Sequence, residues 1–157
     1  MLPERVVVNK LVTHYKRNSE GRINFNEIIE GEGIVLKTMP NADLDGASGQ
    51  FLEVGPTGSP TIYINTKKSL NHQRFTLAHE LGHYFLRHGS RMRDTAEQLV
   101  KKDPVEMAAN RFAAELLMPE DYVMECARNF LSVQDMAKKF KVSEQAINNR
   151  LKTLRLL

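Results

Sequence analysis

The sequence predicts an α+β protein, and two observations carry that reading. Short apolar segments rich in β-branched residues, bounded by Gly, Pro and Asn, lie in the first half of the chain. The second half carries helical periodicity with clear capping residues and no further strand signal.

Taken in order, Pro3 to about Arg17 places Val7, Leu11, Val12 and Tyr15 on one helical face. A short helix is expected through Asn24 to Glu30, broken by Gly31 and Gly33. Ile34–Met39 reads as a strand, Pro40–Ser48 as a loop, and Gly49–Val54 and Thr61–Asn65 as two more strands. The Gly55-Pro56-Thr57-Gly58-Ser59-Pro60 stretch suits a hairpin loop, so a small, mostly antiparallel sheet is expected. Asn71 to about His88 is apolar on most sides, as a buried helix should be. Asp103-Pro104-Val105-Glu106 combines an N-cap, a proline at the first helical position and an acid at N3, opening a helix to about Leu117. Pro119 begins another helix through Glu125. Ser132-Val133-Gln134-Asp135 opens one to Phe140, and Ser143 caps a last helix to about Leu154.

A chain of 157 residues, 41% hydrophobic and 26% charged, is long enough for one compact domain with a small appendage. The expected division is 1–130 for the main domain and 131–157 for a helical segment packed on it. No apolar run approaches the roughly 18 residues of a membrane span, and Val6-Val7-Val8 is too short for a signal h-region. The single cysteine, Cys126, forms no internal disulfide, and a cytoplasmic setting is expected. Net charge is +3, but six basic residues stand against one acid between Ala137 and Leu157.

The chemistry is concentrated at His79-Glu80-Leu81-Gly82-His83. Histidines four apart on a helix share a face, and their imidazoles can reach one ion at roughly 2.0–2.1 Å. The intervening carboxylate can take a proton from a water that the metal activates, without itself being a ligand. The alternative is that they are satisfied core residues, but buried without partners in so apolar a helix two imidazoles and an acid would be costly, whereas a metal ion would recruit all three. Gly82 in mid-helix costs about 1 kcal/mol against Ala, which implies close approach of another element.

A catalytic site needs a third ligand and an open position. By residue type His14, His72, His88, Asp94, Glu97, Glu106 and Glu115 are candidates. His88 is rotated off the ligand face of a continuous helix, and His72 would have to reach back two turns. Glu106 could bind the ion while Asn110, one turn on, supports a ligand imidazole. An acid at N3 is equally an ordinary capping element, so Glu97 stays in competition.

Arg74-Phe75-Thr76-Leu77-Ala78-His79-Glu80-Leu81-Gly82-His83 resembles the zinc motif of the ImmA/IrrE family of metallo-endopeptidases. Ala109-Asn110-Arg111-Phe112-Ala113-Ala114-Glu115-Leu116-Leu117-Met118-Pro119 resembles that family's second signature. The resemblance covers roughly residues 20 to 157. It implies a zincin-like metallopeptidase fold, with the sheet beside the motif helix and a C-terminal segment like a helix-turn-helix. It implies Glu106 as third ligand to zinc and Asn110 behind a ligand histidine; by ligand chemistry alone, manganese could occupy the same two-His, one-carboxylate site. The implied activity is hydrolysis of peptide bonds in a helix-turn-helix repressor encoded nearby, relieving repression.

On this reading Glu80 is the general base, acting on a peptide carbonyl at a site held by His79, His83 and Glu106. Tyr63, Tyr84, His88 and Arg111 are candidate oxyanion donors, with none assigned. Ser48, Gly49, Gln50 and Phe51 could border a substrate cleft, with the strand taking an extended peptide along its edge. The final helix carries Gln145, Asn148, Asn149, Arg150 and Lys152, residue types that can contact DNA. Three functions compete: a repressor-cleaving protease, a toxin–antitoxin or regulator-binding component acting by sequestration, and a DNA-binding regulator with a vestigial site. The intact Glu80 favours the first.

Overall fold

The computed structural model describes residues 3–40, 43–44, 46–90 and 103–157. Helices α1 (Pro3–His14) and α2 (Phe25–Glu32) precede strands β1 (Val35–Met39), β2 (Gly49–Leu52) and β3 (Thr61–Asn65). Helices α3 (Leu70–Phe85), α4 (Pro104–Leu117), α5 (Glu120–Arg128), α6 (Val133–Phe140) and α7 (Glu144–Thr153) follow. The fold class is α+β, and no helix among the described residues is long and apolar enough to cross a membrane.

Local chemistry sets most boundaries. The side chain of Asn24 accepts from the amides of Asn26 and Glu27, Asp103 from those of Val105 and Glu106, and Ser69, Ser132 and Ser143 each from one first-turn amide. Gly31 lies inside α2, and Gly33 alone, at φ +68°, ends it. α1 stops at His14 rather than continuing to Arg17. The Arg17 guanidinium instead donates to the carbonyls of Gly21 and Leu116 at 2.9 and 2.7 Å, tying the turn to α4.

The sheet is mixed, in the order β1-β3-β2, and not mostly antiparallel as expected. β2 and β3 form the antiparallel hairpin, while β1 runs parallel to β3 from Val35↔Thr61 to Met39↔Asn65. The reason is burial. Thr61, Ile62, Ile64 and Asn65 are all buried, so β3 is suited to the centre, whereas β1 leaves Leu36, Lys37 and Thr38 exposed and takes an edge. β1 and β2 run in opposite directions but never pair, because β3 lies between them. β2 ends at Leu52, two residues short of the expected Val54, and the Gly55 amide closes the loop on the Ser59 carbonyl.

α3 packs across the sheet with α4 beside it, and α1 lies against α4. One apolar cluster joins Phe51, Ile62 and Leu81 to Phe112 and Leu116, and extends through Met136, Phe140, Ile147 and Leu151 of α6 and α7. Arg150 on α7 is 4% exposed. It donates to the Met118 carbonyl at 2.9 Å and lies 3.3 Å from Glu115, so it is a buried anchor and is withdrawn from any nucleic-acid surface.

Candidate metal centre

α3 presents His79, Glu80 and His83 to the interior, and α4 presents Glu106. The two helices come close because Gly82 has no side chain. A Cβ there would stand 3.2 Å from the Cα and carbonyl oxygen of Ala109 and 3.2 Å from the Phe112 ring. The close approach expected at Gly82 is therefore that of α4.

Three donor atoms converge at this crossing. His79 Nε2 lies 2.8 Å from Glu106 Oε2, His83 Nε2 lies 3.2 Å from the same oxygen, and the two Nε2 atoms are 3.2 Å apart. Donors at 2.0–2.1 Å around a tetrahedral ion would be separated by about 3.3 Å, close to this triangle. The protonation pattern points the same way. Asn110 Oδ1 can only accept, so at 2.7 Å it places the His79 proton on Nδ1 and leaves the Nε2 lone pair facing Glu106. A carboxylate oxygen aimed at an imidazole lone pair is repulsive unless a cation or proton lies between them. Burial pushes the His83 imidazole below its ordinary pKa, against the opposing pull of its hydrogen bond to Glu106. The neutral ring is the form that ligates.

Glu80 is fully buried, and neither carboxylate oxygen has a hydrogen-bond partner among the described residues. One ligand-type atom from each of His79, Glu80 and His83 falls within 4.8 Å of the others. A buried carboxylate without a donor is expensive, so the donor set fits a metal with a water beside it. β2 closes over this carboxylate through Gly49, where a Cβ would be 2.7 Å from Thr76 Cγ2, 2.8 Å from the Tyr63 carbonyl and 3.6 Å from Glu80 Cγ.

The other candidates are distributed as follows. Ser48 Oγ pairs with His72 Nε2 at 2.7 Å, and Gln50 is half-buried on β2, which is an edge strand. The Phe51 side chain is core, edge-on to Tyr84 at 6.3 Å, so only its backbone is available to a cleft. Glu115 accepts from Arg5 and Arg150, and His14 packs on Tyr15. Tyr84 donates to Glu32 and Arg111 to Glu4. Asp94 and Glu97 lie outside the described residues.

His88 is the residue that the helical reading misplaced. α3 ends at Phe85, Arg87 takes the left-handed conformation at φ +58°, and the His88 amide returns to the His83 carbonyl at 3.0 Å. His88 Nδ1 then lies 2.9 Å from His83 Nδ1. A His83 ring that donates to His88 keeps its Nε2 lone pair for the centre, as Asn110 does for His79. Beside His79 and Asn110 opens a cleft of about 910 Å³, bounded by His72 on α3, Met107 on α4, and Gln145 and Asn149 on α7.

An α+β domain that buries a His-Glu-x-x-His helix against a second helix bearing a carboxylate has the site architecture of the metallopeptidases. Residues 29–152 match the peptidase M78 family model, described as the IrrE N-terminal-like domain. The chain is 35% identical over 109 residues to metallopeptidase ImmA of Bacillus subtilis, covering 68% of this chain and 61% of that protein. It is 34% identical over 119 residues to the radiation response metalloprotease IrrE of Deinococcus radiodurans, covering 71% of this chain and 34% of that protein. The chain belongs to the ImmA/IrrE (peptidase M78) family, and its matches span about three fifths and one third of these two relatives.

Proposed function

We propose that this chain is a zinc-dependent endopeptidase with His79, His83 and Glu106 as ligands and Glu80 as general base. The observation that carries the reading is the convergence of three lone-pair donors beside a buried carboxylate that has no hydrogen-bond donor among the described residues. When bound, zinc supplies Lewis acidity, bringing a water's pKa toward neutrality and polarising a peptide carbonyl. Glu80 takes one proton from the attacking water as its oxygen bonds to the carbonyl carbon. It returns that proton to the amide nitrogen as the C–N bond breaks, so it ends the cycle ionised. Asn110 and His88 hold the two imidazoles in the ligating tautomer, and β2 lays its backbone edge beside the carboxylate.

The two signatures support a protein regulator as substrate, namely a helix-turn-helix repressor encoded nearby, with proteolysis relieving repression in the cytoplasm. Zinc is the ion favoured by a two-imidazole, one-carboxylate tetrahedron, and manganese is the competitor. A sequestering toxin–antitoxin component would have no use for a buried Glu80 that has no hydrogen-bond partner among the described residues, which supports cleavage over capture. The test incubates the product of the adjacent regulator gene with the zinc-loaded chain, with the Glu80→Gln variant and with chelator. Cleavage by the wild type alone is expected, and an intact regulator in all three would sink the reading.

A further inference from the structure

We infer that the cleft between α3, α4 and α7 is the groove that receives the substrate chain flanking the scissile bond, and that α7 reads its sequence. This rests on the peptidase reading above. The first argument is continuity, because His79 and Asn110 form part of the cleft wall. A chain lying in the groove therefore passes the His79 edge of the centre, with Asn110 beside it.

The second argument is dimension. His72 and His79 are seven residues apart and share a face of α3, which sets them about 10 Å apart along the helix axis. An extended chain rises about 3.3 Å per residue, so the groove reaches about three residues from the scissile bond. A volume of 910 Å³ lies within the roughly 300–1,000 Å³ of ligand sites and accepts more than one side chain.

The third argument is chemistry. Phe75, Met107, Ala114 and Ala146 supply apolar surface over the buried Met118, and Met107 can adapt to different occupants. Gln145, Asn149 and Thr153 recur every four residues on α7 and bring amides and a hydroxyl to the opposite wall. That pairing suits an extended peptide with an apolar side chain directed inward and backbone groups directed at the amides. Phosphate would find little here. Glu115 is paired with Arg5 and Arg150, and Arg111 with Glu4, so most of the lining charge is neutralised within the protein. The C-terminal helices thus serve substrate selection through α7, in place of the base reading that their residue types suggest.

The probe is an internally quenched decapeptide library with randomised positions, used in two arms with the full zinc-loaded chain. Cleavage by the wild type reports the peptidase reading, and enrichment of library members on the Glu80→Gln protein reports the groove without needing turnover. We expect enrichment of Leu, Met or Phe at one position within three residues of the scissile bond. Ala146→Trp should lower that preference about tenfold, and Asn149→Ala, which leaves the apolar floor intact, should weaken binding about threefold without changing the preferred residue. Should Ala146→Trp fail to fold, Met107→Ala serves in its place by shifting the preference to larger side chains. Enrichment without cleavage would remove the peptidase reading and leave the groove standing. Equal enrichment in wild-type and groove variants, or salt-dependent binding of duplex DNA that is lost on Asn149→Ala, would overturn the inference.

Discussion

Gly82 on α3 and Ala109 on α4 are in backbone contact, and the position of any Cβ at Gly82 is 3.2 Å from the Ala109 Cα and carbonyl oxygen. This contact sets the helix spacing at which Glu106 reaches His79 and His83. Gly82→Ala gains about 1 kcal/mol of helix propensity, whereas overpacking costs about 1–3 kcal/mol, and backbone atoms cannot move aside as a side-chain tip can. A net loss of about 1 kcal/mol in urea unfolding is expected, together with weaker zinc binding. A stabilised variant with unchanged zinc affinity would show that α4 has room to retreat.

With Glu80 as the proposed general base, Glu80→Gln should remove turnover and keep the metal, since the carboxamide cannot accept the water's proton. It should also raise the thermal stability of the metal-free chain at neutral pH. Burying an unpartnered carboxylate costs several kcal/mol, and a buried amide costs less. Calorimetry on chelated wild-type and variant protein decides this, and a lower Tm for the variant would place an unseen donor on Glu80.

Much of this site was legible because its signals are local. The caps at Asp103, Ser132 and Ser143 depend on neighbouring residues, as does the spacing of His79 and His83. Gly82 also announced a close contact, although not its partner. What stayed hidden depends on tertiary placement. β1 pairs in parallel because β3 is the strand buried enough for the centre, a competition between strands that no single segment reveals. Arg87, without being glycine, takes a left-handed conformation that swings His88 onto His83. Arg150 resembles a phosphate contact by type, and only the docking of α7 turns it toward Glu115. Glu106 suits both a first-turn acid and a ligand reading by sequence, and only the structure shows its carboxylate 2.8 Å from His79 Nε2.

On the proposed ligand set, Asn110→Ala and His88→Ala should each weaken zinc binding by about 10–100-fold, because each removes the hydrogen-bond partner of a proposed ligand imidazole. Asn110→Asp keeps an acceptor for His79 Nδ1 and should lose far less. Competition with a chromophoric chelator measures all three. Equal affinity in wild type and Asn110→Ala would mean that His79 is oriented by packing alone.

The acid limb of stability should depend on the Glu4–Arg111 pair at 2.9 Å. Burial pushes the Glu4 carboxyl upward, but the Arg111 hydrogen bond, a backbone hydrogen bond and the Arg111 and His88 charges together outweigh it, and the net pKa lies below the ordinary 4.5. A folded-state pKa below the unfolded value contributes stability that is present above 4.5 and lost as pH falls through the folded value. Chelated wild-type protein should therefore lose stability more steeply below pH 4.5 than Arg111→Met. Parallel stability–pH curves for the two would remove Glu4 from the acid response.

Glu115, inside the second signature, joins three helices. It accepts from Arg5 Nε at 3.1 Å and lies 3.3 Å from Arg150 Nη2, while Arg150 Nε holds the Met118 carbonyl at 2.9 Å. Arg5 is part-exposed, so water recovers much of its share when the carboxylate is lost. Arg150, at 4% exposure, has no such recourse, and an unpaired buried charge costs about 3–5 kcal/mol. Glu115→Gln should thus destabilise by about 3 kcal/mol or more, with α6 and α7 the first to lose hydrogen-exchange protection. Removing both charges, as Glu115→Gln with Arg150→Met, should recover much of the loss, because the penalty is the orphaned charge and not the absent pair. A double-mutant cycle by urea unfolding isolates the coupling. If it came out below about 0.5 kcal/mol, within the additivity of independent sites, Arg150 would be held by Met118 and packing, and Glu115 would belong to Arg5 alone.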